Sequence, residues 1–142
     1  MVCRAPGGRS TGVVLLALVL AGCGGDIKAD ELDRAVQTVG SYAAEGALLA
    51  DGVAHDRSRA TFTRVQARTL SDLADHEAER LADSSSSPAM TGRRRDAIRL
   101  AEDVSEAVGA LQVRPGDEPA GVAAAKRLRE LAHRADVLSE AL

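Results

Sequence analysis

Apolar residues that recur every three or four positions, in four separate stretches, constrain this chain more than any other feature of it. Leu32, Val36, Val39, Ala43 and Ala47 form the first stretch, which Leu48 and Leu49 widen. Phe62, Val65, Thr69, Leu73 and Leu81 mark the second, with Leu70, Ala74 and Ala78 beside them. Ala97, Ala101, Val104, Val108 and Leu111 form the third, and Leu128, Leu131, Ala135, Leu138 and Leu142 the fourth. That spacing lines up side chains on one face of an α-helix. No stretch alternates apolar and polar residues as a half-buried strand does.

Local signals divide the stretches. Asp30 is the expected start and cap of the first helix, with Glu31 and Asp33 favourable near its positive end. Asp51-Gly52 reads as its stop. A second helix is expected from Asp56 or Ser58 to the serine run 84–87, which Pro88 closes. The third starts either at Pro88, where proline is tolerated, or behind Thr91 as cap. Pro115 and Gly116 mark a loop, and acidic Asp117 and Glu118 open the fourth helix, on which Glu130 and Arg134 form a favourable pair four residues apart. Four helices with short connections predict an all-α, antiparallel up-down four-helix bundle. Its inward positions are rich in alanine, so the helices are expected to approach closely, and stability to be modest unless a partner covers one face.

The first 22 residues belong to a different physical class. Arg4 and Arg9 give a positive start, and positions 13–20 are an unbroken apolar run. A spanning helix needs roughly 20 such residues, so this run suits a cleavable signal rather than a membrane span. Small residues then lead to a cysteine, in the order Leu20-Ala21-Gly22-Cys23. This segment resembles the lipobox of bacterial lipoprotein signal peptides. The resemblance implies that the thiol of Cys23 carries a diacylglyceryl group, that the Gly22–Cys23 bond is cut, and that the new amino terminus is acylated, with palmitate-like chains. Two or three acyl chains, at about 0.8 kcal/mol per buried methylene, hold a protein firmly to a bilayer. The two arginines are not adjacent, so general secretion is the expected route. The domain reading is a signal peptide over 1–22, a flexible lipidated tether over 23–29 and a helical domain over 30–142.

Composition narrows the functions available to that domain. Loss of Arg4 and Arg9 takes the formal charge from −3 to −5, which gives nucleic acid or anionic lipid no general attraction. Cys3 leaves with the signal and lipid consumes Cys23, so no thiol remains for a disulfide, a zinc site or a nucleophile. Tyr42 and Phe62 are the only aromatic residues, too few for sugar platforms or base stacking.

Candidate chemistry is thin. Asp72 and His76, four apart and near Glu79, are a conceivable metal site. The dinuclear pattern of helical bundles requires Glu-x-x-His on each of two helices plus two further glutamates, and the chain lacks the pair. A solvated acidic face is the plainer reading. His133 lies beside the apolar stripe of the last helix, and His55 reads as a turn residue. Arg93-Arg94-Arg95 is the sharpest charge cluster. Its functional reading is a contact with lipid phosphate or an acidic partner, and its plain reading is a solvated face. The serine run 84–87 lacks the setting of a nucleophile. No catalytic residue, metal ligand or cofactor is assigned. The expectation is a non-enzymatic lipoprotein on the outer face of the cytoplasmic membrane, or in the periplasm or outer membrane of a two-membrane cell. Its helical surface is expected to contact another envelope protein. The alternative is a lipoprotein that binds a small ligand or metal between its helices.

Overall fold

The computed structural model describes residues 26–142, so Gly22, Cys23 and the signal segment lie outside the described residues. Four helices follow in order: α1 (Ala29–Ala54), α2 (Ala60–Asp83), α3 (Thr91–Val113) and α4 (Glu118–Glu140). Each rises about 1.5 Å per residue and so spans roughly 35–39 Å. They form the alanine-rich, antiparallel up-down bundle that the periodicity predicts. α1 packs most extensively on α4, α2 on α3, and α1 also touches α3 across the diagonal, whereas α2 and α4 do not meet. Leu32, Val36 and Val39 of α1, Leu81 of α2, Leu100, Val104, Val108 and Leu111 of α3, and Leu128 and Leu131 of α4 fill the centre.

The helix ends differ from the expected ones in instructive ways. α1 does not stop at Asp51-Gly52 but continues to Ala54. Beyond it Asp56 takes a left-handed backbone with φ of 51°. The Asp56 N–H then donates to the Val53 carbonyl at 3.1 Å and the Arg57 N–H to the Gly52 carbonyl at 2.8 Å. That bond pair closes a helix on a left-handed residue, and aspartate tolerates the conformation better than most side chains. At the other end Lys28, not Asp30, is the N-cap, and the Glu31 carboxylate accepts the Lys28 N–H at 3.1 Å. α2 begins only at Ala60. Neither expected start of α3 is used: Met90 is the N-cap and Thr91 the first helical residue, whose hydroxyl donates to the Ser87 carbonyl at 3.1 Å. Asp117 caps α4, accepting the Ala120 N–H at 2.7 Å.

The lower end of the tether read over 23–29 is not free. Ile27 is buried in the core, and its N–H donates to the Ser85 carbonyl at 2.9 Å.

Glycine sets the α1/α4 approach. A Cβ on Gly121 would stand 2.7 Å from the Ala54 nitrogen and 3.0 Å from the Ala50 carbonyl oxygen. One on Gly40 would meet the Ala135 Cβ at 2.8 Å. The two backbones are therefore in direct contact at Gly121, the Gly40 backbone meets the Ala135 methyl group at the other height, and the alanines of both helices mesh between them.

α2 corrects the sequence reading. Its buried face is Thr63, Ala67, Leu70, Ser71, Ala74, Ala78 and Leu81. Phe62, Val65 and Leu73, expected to mark the inner side, are exposed by 55%, 57% and 39%. Both faces satisfy helical periodicity. Small side chains win because α2 lies close against α3, where the Ser71 and Ser105 hydroxyls share a buried hydrogen bond of 2.9 Å.

Candidate functional surface

The residues singled out for chemistry do not converge. Asp72, His76 and Glu79 are all exposed on α2. Asp72 pairs with Arg68 at 3.7 Å, one turn before it on the same helix. His133 is exposed on α4, a helix that does not touch α2. Glu130 and His133 make a single Glu-x-x-His step, and both face solvent. Among the described residues no group of three or more His, Cys, Asp or Glu side chains is placed to hold a metal ion. His55 follows the end of α1, where its Nδ1 lies 2.8 Å from the Asp51 carbonyl and donates to it. The expected Glu130–Arg134 pair gives way to a bridge between helices: Arg134 reaches Asp103 of α3 at 2.6 Å.

The arginine cluster divides. Arg93 and Arg95 are exposed. Arg94 turns back over the end of α2, and its Nη1 donates to the carbonyls of Leu81 at 3.2 Å, Ala82 at 3.3 Å and Ser84. Those carbonyls have no further helical turn to bond to, and a guanidinium there also suits the negative end of the helix dipole. Arg94 is thus a cap supplied by the next helix. The serine run joins the same joint, with the Ser84 hydroxyl donating to the Leu81 carbonyl at 2.7 Å.

Tyr42 has a shifted ionisation. Burial in the α1/α2 seam raises its phenol above the usual value, and the nearby Glu77 carboxylate adds to the rise. Glu77 is itself held by Arg80 at 2.8 Å.

Leu48, expected to widen the apolar face of α1, is instead 73% exposed. Two further surface features bear on function. Because α4 leans on α1, it stands away from α3 and leaves an open groove of about 430 Å³ between them. Ala107, Ala110 and Ala124 line it, with Asp103, Glu106 and Arg127 on its rim. The other feature is the exposed stripe on α2, in which Phe62, Val65, Thr69 and Leu73 succeed one another at helical steps. The stripe was legible as apolar in the sequence, but not as outward-facing. No described helix is long and apolar enough to cross a membrane. Comparison with protein-family models, with curated proteins and with solved structures returned no match.

Proposed function

We propose that this chain is a lipid-anchored protein of the bacterial envelope that works without catalysis, by presenting a helical surface to another envelope protein. The observation that carries the reading is the segment Leu20-Ala21-Gly22-Cys23 behind a short apolar run. The position of Ile27 supports it. With Ile27 fixed to the bundle, only three residues separate it from an acylated Cys23, and the four Cα steps reach at most about 14 Å. A domain held so close suits contact with components at the membrane surface. Asp72 and His76 of α2 and His133 of α4 are exposed and do not converge.

Mass measurement of the mature protein from its own cell tests the anchor. The expected amino-terminal residue is an acylated Cys23, and Cys23→Ala is expected to release the domain or leave it unprocessed. Normal membrane attachment of that variant would refute lipid anchoring.

The groove between α3 and α4 favours a second reading, a lipoprotein that carries a small ligand. Its volume falls within the range of small-molecule sites, about 300–1,000 Å³, and its rim holds both charge signs. Ligand-induced thermal shifts that disappear in Arg127→Ala would favour it, and silence across a broad panel would set it aside.

A further inference from the structure

We infer that the partner of the α2 surface is a second copy of this chain, packed antiparallel along α2 about a two-fold axis near Thr69. The inference rests on the proposed surface role and names its partner. At 100° per residue, the exposed stripe lies roughly 140° round the helix from the buried face. Phe62, Val65 and Leu73 are therefore too far round to be covered by the bundle's own core, and they leave three large apolar side chains in water along about three turns.

Charge decides what covers them. Arg64, Arg68, Asp72, Asp75 and Glu79 are all exposed and all fall along one flank of the stripe. Along that flank the first half is basic and the second half acidic. In an antiparallel two-fold pair, each flank faces the same flank of the other copy. Arg64 and Arg68 of one copy then lie toward Asp72, Asp75 and Glu79 of the second copy, and Val65 lies toward Leu73. A parallel pair would instead set this flank against the other side, where Gln66, Glu77 and Arg80 offer no matching order and Arg80 is already held by Glu77 at 2.8 Å. The order also runs against the helix's own field. Arg59 stands at the N-cap without a side-chain cap, and Asp83 ends the helix. The dipole disfavours a cation at the first site and an anion at the second. A single stripe makes a small interface, and shared attachment to one membrane raises the effective concentration that such an interface needs. With the two-fold axis along the membrane normal, the two Ile27 residues stand at the same height over one bilayer.

Cysteine crosslinking of the full chain in its membrane tests this, with two differently tagged copies produced together. Thr69→Cys lies near the axis and is expected to yield a mixed-tag dimer. Arg99→Cys, exposed on α3, is the control. Adding Arg64→Glu and Arg68→Glu is expected to lower the dimer yield at least about tenfold, since every reversed contact counts twice. Further addition of Asp72→Arg and Asp75→Arg is expected to restore it. These side chains are all exposed, and an unchanged thermal midpoint verifies that the variants fold. In the same membranes, the mixed-tag yield of Thr69→Cys is expected to fall as salt rises from about 0.1 to 1 M, where the screening length falls to about 3 Å. Three results would overturn the inference: Thr69→Cys crosslinking no better than the control, crosslinking to a different protein, or a yield indifferent to charge reversal. Amino-terminal mass on the same sample keeps the two readings apart. An acylated chain without dimer refutes only this inference, and a dimer without acylation refutes only the anchor.

Discussion

Replacing Gly121 with alanine is the sharpest test of how α1 and α4 hold together. The new Cβ would lie 2.7 Å from the Ala54 nitrogen, 3.0 Å from the Ala50 oxygen and 3.0 Å from the Val53 Cβ. Comfortable contacts between such atoms lie near 3.5–4.0 Å, so the intrusion is about 0.5–1 Å. Two of the three neighbours are backbone atoms of a hydrogen-bonded helix and have no rotamer to yield. The helices must separate by a comparable distance at that end, and each alanine contact in the seam then loses roughly a quarter to a half of its dispersion energy. Overpacking of this kind costs about 1–3 kcal/mol. Alanine returns up to about 1 kcal/mol through its better helix propensity. The net expectation is a loss of about 1–2 kcal/mol, read as a lower urea midpoint at unchanged slope. Gly92 supplies the control, because a Cβ there meets nothing within 4 Å, and Gly92→Ala is expected to be neutral or stabilising. A Gly121→Ala protein as stable as the parent would refute the argument that backbone contact sets this seam.

Four further outcomes are expected. Arg94→Ala removes the donor from three terminal carbonyls of α2 and is expected to cost about 1–3 kcal/mol, with faster hydrogen exchange confined to the joint at 81–91. Ser71→Ala is expected to cost about 1–2 kcal/mol because it strands the Ser105 hydroxyl, while the double change to alanine costs less than the sum of the single ones; a thermodynamic cycle by urea unfolding measures the difference. Asp56→Gly relieves a left-handed side chain and is expected to raise stability by up to about 1 kcal/mol, seen as a higher thermal midpoint. Tyr42 is the single tyrosine, so its ultraviolet titration reports one group. Its midpoint is expected above 10, and Glu77→Gln is expected to lower it in part. Because the folded state binds this proton more tightly than the unfolded chain, the contribution is whole below pH 10 and is lost as pH rises through the folded midpoint, a loss absent from Tyr42→Phe.

The sequence by itself determined that this chain is helical and where three of its four helices place their apolar faces, and its amino-terminal segment resembles a lipobox. Those properties follow from spacing and residue type along a few neighbouring positions. The opening of α4 at Asp117 and Glu118 was readable for the same reason. What lay between helices was not readable. α2 carries two faces of helical spacing, and local pattern cannot choose between Phe62-Val65-Leu73 and Thr63-Ala67-Leu70. The choice falls to α3, whose Ser105 and small neighbours accept a close helix bearing Ser71. Arg94 looked like one of three surface charges until the turn at 84–90 brought it onto carbonyls ten or more residues back along the chain. Ile27 looked like tether until Ser85 offered it a bond. In each case the deciding partner is remote in sequence, and only the packed chain brings it within the few ångströms over which contact and hydrogen bonding act.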